Sequence, residues 1–133
     1  ATDPSVANRV WAAGAFHDGN EGSRVFRSDD GGDHWVEQAA FPDCDIRRLL
    51  ADPDRPGTIR ASGASKAEQG TGCVLRSRDS GESWIRIDAG LPATRVSAMA
   101  TMPGASDEVL VGTNTGVWHL RDAPDAIFRD GFD

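Results

Sequence analysis

One eight-residue pattern occurs twice in this chain, in a single register. Ser28-Asp29-Asp30-Gly31-Gly32-Asp33-His34-Trp35 and Ser77-Arg78-Asp79-Ser80-Gly81-Glu82-Ser83-Trp84 both fit Ser-x-Asp-x-Gly-x-x-Trp and start 49 residues apart. The same offset carries Asp3-Pro4 onto Asp52-Pro53, Val10 onto Ile59, Gly14 onto Gly63 and Gly63 onto Gly112. A fixed period of this size is the signature of repeated supersecondary units, none of which buries its apolar face alone. It constrains the architecture far more than the activity.

The second unit is complete and predicts four short strands, at 46–51, 58–63, 73–76 and 84–87. Asp52-Pro53-Asp54-Arg55-Pro56-Gly57 makes the first turn, with proline and glycine where turn backbones want them. A polar loop spans 64–72, and the repeated motif makes the last turn. Within the motif, Ser28 and Asp30, or Ser77 and Asp79, are short polar side chains able to hydrogen-bond neighbouring backbone and fix the turn. Gly32 and Gly81 permit φ > 0, and Trp35 and Trp84 supply a large ring to cover it. Four strands in roughly 40–50 residues match one blade of a β-propeller.

On these residues the chain resembles the Asp-box, or BNR, repeat of sialidases, sortilin-type receptors, xyloglucanases and photosystem II assembly factors, all β-propellers. Each motif follows an apolar-apolar-Arg run, Val25-Phe26-Arg27 and Val74-Leu75-Arg76. The resemblance implies that the motif sits at the rim, between the third and fourth strands of a blade, with a structural and not a catalytic role. Asp29, Asp30 and Asp33 lack the spacing and distal Glu of a calcium loop, and no metal or other cofactor is expected.

The expected fold is therefore all-β: a partial propeller of about two and a half four-stranded antiparallel blades. Blade 1 spans 1–43 and lacks its inner strand, blade 2 spans 44–93, and blade 3 spans 94–122. The third unit repeats three strands, at 96–101, 109–113 and 116–120. Its motif is degraded: Arg121-Asp122 aligns with Arg78-Asp79, but no glycine or tryptophan follows. Residues 123–133 break the period and form a separate tail, leaving blade 3 without an outer strand.

A closed propeller typically needs 4–8 blades, and 133 residues do not supply them. The remaining blades are expected from a longer chain or from self-association. The sequence has neither an initiator methionine nor a signal peptide, which fits a removed leader or an excised segment.

The net charge is −7 and the pI about 4.8. That balance argues against nucleic acid, which is bound mainly through Lys and Arg contacts to phosphate, and against an anionic membrane surface. Lys66 is the single lysine. The arginines are scattered among acids and read as solvated strand faces. No run of 18 apolar residues suggests a membrane span.

Cys44 and Cys73 are the only cysteines. Cys44 precedes the first strand of the second unit and Cys73 opens its third, at the same end of the blade, and two readings stand: a disulfide, or two buried thiols. The tail sequence Ile127-Phe128-Arg129-Asp130-Gly131-Phe132-Asp133 resembles that of secreted gammaproteobacterial proteins, which implies a secreted or periplasmic location.

Strand order places a binding face at the end opposite the Asp boxes. It would carry His17, Asp18, Asn20, Glu21 and Arg24 from unit one, Lys66, Glu68 and Gln69 from unit two, and Asn114 and Thr115 from unit three. Asp43, Asp45, Thr94 and Arg95 lie between the units. Trp11 and Trp118 are stacking platforms if exposed and core residues otherwise.

Three function classes follow from the resemblance. The favoured one is a secreted, non-catalytic module binding glycan or protein. The alternative is a glycoside hydrolase fragment. Hydrolysis needs two carboxylates across the bond, and no spacing among Asp18, Glu21, Asp43, Asp45 and Glu68 selects a pair. Sialidases use a tyrosine nucleophile and the chain has no tyrosine, so the resemblance favours a xyloglucanase-like enzyme with paired aspartates over a sialidase, unless the tyrosine lies in the missing blades. The third class is an assembly or scaffold factor.

Overall fold

The computed structural model describes residues 1–15, 22–65, 72–88, 91, 95–102, 105–123 and 126–129. All regular structure among them is antiparallel strand, in three sheets. The first sheet runs β1 (Val10–Ala15), β2 (Ser23–Ser28), β3 (Val36–Phe41). The second runs β4 (Cys44–Ala51), β5 (Ile59–Ser65), β6 (Gly72–Ser77), β7 (Ile85–Arg86). The third runs β8 (Val96–Met102), β9 (Ala105–Thr113), β10 (Gly116–Ala123), β11 (Ala126–Arg129). Each sheet is a simple meander, and no described helix is long and apolar enough to cross a membrane.

The second sheet is the middle layer, and β6 shows why. All six of its residues are buried. Cys73 and Leu75 join Trp11, Val25, Cys44, Ile46, Ile59 and Ala61 in a core shared with the first sheet. Val74, between them, joins Ile87, Leu91, Val96, Val109, Val111 and Leu120 in a core shared with the third sheet. Successive side chains of a strand point to opposite faces, so a run apolar at every position suits a strand covered on both sides. One polar link joins these layers: the Ile46 N–H donates to the Ser23 hydroxyl at 2.9 Å, tying β4 to β2.

Cys44 and Cys73 are joined in a disulfide with Cα atoms 6.2 Å apart. The bridge ties β4 to β6 across the intervening β5. Gly63 of β5 pairs with Cys73 on one side and with Ile46 on the other. A Cβ there would stand 1.9 Å from the Asp45 carbonyl oxygen, so no side chain fits beneath the staple.

Two strand-level results differ from the sequence expectation. The outer strand of the third sheet is present: residues 126–129, assigned to the tail, pair with β10 from Leu120↔Arg129 to Ala123↔Ala126. The period ends at the degraded motif, but Ile127-Phe128 retains strand-forming residues. The outer strand of the second sheet is shorter than the predicted 84–87. β7 pairs through Ile85 and Arg86, and one further bond from the Ile87 N–H to the Val74 carbonyl extends it.

Candidate functional site

The two motif turns carry one hydrogen-bond network, repeated atom for atom. In the first, the Ser28 hydroxyl donates to Asp30 Oδ1 at 2.7 Å and accepts from the Gly32 N–H at 2.9 Å. Asp30 Oδ1 also accepts from the His34 N–H at 2.8 Å, and Trp35 Nε1 donates to the Gly32 carbonyl at 2.9 Å. In the second, Ser77 bonds Asp79 Oδ1 at 2.8 Å and Gly81 at 2.9 Å, Ser83 N–H donates to Asp79 Oδ1 at 2.8 Å, and Trp84 Nε1 donates to the Gly81 carbonyl at 2.8 Å. The remaining oxygens are taken as well: Asp30 Oδ2 meets His34 Nδ1 at 2.6 Å, and Asp79 Oδ2 accepts from the Ser83 hydroxyl.

These bonds fix the charge of both carboxylates. The His34 backbone bond, then those of Ser28 and the His34 ring, hold Asp30 well below its ordinary pKa of 3.8. For Asp79 partial burial pulls upward, but the side-chain and backbone bonds from Ser83 and the bond from Ser77 outweigh it and hold the group at about 2. A carboxylate committed to its own turn and this acidic makes a poor general acid or base near neutral pH.

The second turn also fastens the first two sheets together. The Ser80 carbonyl accepts from Trp11 Nε1 and from Arg27, both at 3.1 Å. Gly81, at φ 98°, lies where a Cβ would be 3.2 Å from Trp11 Nε1. Trp11 is thus a buried strut between sheets, 2% exposed, and not a stacking platform. Trp118 is half-buried against the second core and bonds Thr115 Oγ1 at 3.0 Å.

At the opposite end of the sheets, the start of β8 approaches the start of β4. Arg95 forms an isolated bridge with Ala64, and its N–H donates to Asn114 Oδ1 at 3.2 Å. A cleft of about 450 Å³ opens here, lined by Arg47, Arg48, Ala64, Arg95, Val96 and Ser97. A bulge shapes it: pairing passes from Ile46↔Gly63 directly to Arg48↔Ser62, leaving Arg47 unopposed. Bulges re-aim side chains, and here two successive arginines are exposed after the buried Ile46. Arg47 is held by Asp45 at 2.7 Å, whereas the Arg48 guanidinium donates to the Arg47 carbonyl at 3.2 Å. Neither Arg48 nor Arg95 has a carboxylate partner among the described residues. In a chain of net charge −7, this is a local concentration of positive charge along the cleft.

The structure therefore brings Asn114 and Arg95 together and adds Arg47 and Arg48. Arg24 is drawn instead to Glu37, at 3.8 Å across β2 and β3. Asp43 is exposed in the turn before β4, and Asp45 is occupied by Arg47. His17, Asp18, Asn20, Glu21, Lys66, Glu68, Gln69 and Thr94 lie outside the described residues. Among the described residues, no group of three or more His, Cys, Asp or Glu side chains converges as a metal site would require. Sequence reasoning placed Arg47 and Arg48 on a solvated strand face. The break in alternation at Ile46-Arg47-Arg48-Leu49 was the signal that one wall carried both. No family model matches the chain, and no curated protein matches it.

Proposed function

We propose that this chain is a non-catalytic binding module built of Asp-box propeller blades, working outside the cytoplasm and taking an anionic glycan or protein ligand at the Arg48–Arg95 cleft. The observation that carries this reading is the cleft itself: among the described residues three arginines line it, two of them without a carboxylate partner, and no carboxylate does. Guanidinium groups match carboxylate and sulfate geometry in a bidentate fashion. Glycoside hydrolysis, by contrast, needs two carboxylates flanking the bond, and the motif aspartates are committed to their turns. In this reading the three sheets are successive blades, their remaining neighbours supplied by a longer chain or by further copies. The disulfide supports an oxidising compartment.

The test is titration calorimetry with uronate-containing, sulfated and neutral oligosaccharides and with acidic peptides. Binding of an anionic member, weakened about tenfold or more by Arg48→Ala with Arg95→Ala and unchanged by Glu82→Ala at the other end, supports the reading. Equal affinity for neutral oligosaccharides, or hydrolysis of an aryl-glycoside, refutes it.

A further inference from the structure

The two walls of the Arg48–Arg95 cleft stand on the residues that adjoin the disulfide. Cys44 is followed by Asp45, whose carboxylate accepts from Arg47 at 2.7 Å on the first wall. Asp45 also pairs with Ala64, and Ala64 bridges Arg95 on the second. Cys73 is preceded by Gly72, which packs directly on that second wall. A Cβ there would stand 2.9 Å from Val96 Cγ2 and 3.3 Å from the Arg95 carbonyl carbon.

Each wall also carries a bulge. Pairing skips Arg47 on β4 and, in the same way, Ser97 on β8, between Val96↔Thr113 and Ala98↔Gly112. A bulge disrupts the ladder locally, so both ladders are interrupted where they line the cleft. The bridge lies one residue from the contacts that hold each wall, and it is buried at both ends. A disulfide permits only a narrow range of Cα separations. While it stands, the start of β4 keeps a fixed distance from the start of β6, and through Gly72 from Arg95.

We propose, building on the reading of this cleft as an anion site, that the Cys44–Cys73 bridge is the clamp that sets the separation of its walls. Its reduction loosens the cleft and releases an anion held between Arg48 and Arg95. The reductant is a dithiol. One of its thiolates attacks a cysteine sulfur and forms a mixed disulfide, and the other cysteine leaves as a thiolate that takes up a proton. The second thiolate then closes on the mixed disulfide, and the remaining cysteine leaves in the same way. Two electrons pass from the dithiol, which ends as a disulfide, to the protein, which ends with two thiols. Binding and redox state are linked in both directions: an anion gripping both walls favours the oxidised form by the factor by which oxidation favours the anion.

Fluorescence anisotropy with a labelled oligogalacturonate and a labelled sulfated oligosaccharide, on oxidised and dithiothreitol-reduced protein, tests it. A probe that binds the oxidised protein should bind the reduced one at least about fivefold more weakly, with circular dichroism showing both forms folded. At saturation the same probe should raise, by the same factor, the ratio of reduced to oxidised dithiothreitol at which half the protein is reduced. Arg95→Ala should remove that shift. Gly72→Ala keeps the bridge but drives a methyl group against Val96, so it should weaken binding in oxidised protein, and it carries the test if the reduced chain unfolds. Equal affinity in both redox states, or full affinity in Gly72→Ala, overturns the clamp. Failure of the oxidised protein to bind either probe overturns the anion reading instead. The clamp is then decided by nuclear magnetic resonance: reduction should move the amide signals of Val96 and Ser97, on a strand that carries neither cysteine, and unmoved signals overturn it.

Discussion

Trp84 meets Phe41 edge to face, ring centroids 5.6 Å apart and planes at 81°. One ring belongs to the second motif turn and the other to the last strand of the first sheet, so the side chain that closes a turn also joins two sheets. Its counterpart in the first turn, Trp35, makes the same bond to its own glycine yet is 43% exposed. Two copies of one motif thus differ in what they contribute.

Trp84→Ala is expected to cost about 3–5 kcal/mol, the range for emptying a large aromatic site. Trp35→Ala should cost less than half as much. Urea unfolding of both variants checks the contrast. Equal losses would show that the tryptophan acts through its own turn alone.

Acid should weaken the turns in a defined window. Asp79 titrates at about 2 when folded, against an ordinary value of 3.8. The depressed pKa means that its stabilisation is fully present above the ordinary value and disappears as pH falls through the folded one. Unfolding free energy should therefore drop between about pH 4 and pH 2. Asp79→Asn should flatten that slope while lowering stability at neutral pH. A parallel slope in the variant would assign the acid sensitivity to other groups.

The disulfide joins residues 29 apart in sequence. A loop of this length is worth about 3–4 kcal/mol in the chain-entropy model. Oxidised protein should resist alkylation without reductant, as read by intact mass. Cys44→Ser with Cys73→Ser should lower the urea midpoint accordingly, and modification of both thiols in untreated protein would exclude the bridge.

Asp52 and Arg60 form an ion pair at 3.0 Å with both side chains 1% exposed. Removing one partner takes away the ion pair that offsets the desolvation of the other, so Asp52→Ala should destabilise by about 3–5 kcal/mol. The double substitution Asp52→Ala, Arg60→Met should recover part of this, because it removes both buried charges. Two independent, additive losses would show that the pair is not coupled.

Much of the sheet structure was legible in the sequence because its signals are local. The strands at 46–51, 58–63 and 73–76 announce themselves by apolar content and flanking turn residues, and the motif fixes where the turns fall. β11 was missed because four residues without the motif carry too little pattern. The cleft was invisible for a different reason. It lies between sheets, where Arg47, Arg48 and Arg95 meet through packing that no local pattern encodes. Trp11 was ambiguous in the same way: its position 49 residues before Arg60 does not reveal that its indole reaches Ser80.

The staple over Gly63 skips a strand, and this changes how the middle sheet can breathe. Strands linked only by ladders can peel from an edge, one row of bonds at a time. With β4 tied to β6, lifting either one must carry the other and expose β5 between them. The amide hydrogens of all three strands should then exchange with solvent through one shared opening event of high free energy. The strands of the first sheet, outside the clasp, should open without that constraint.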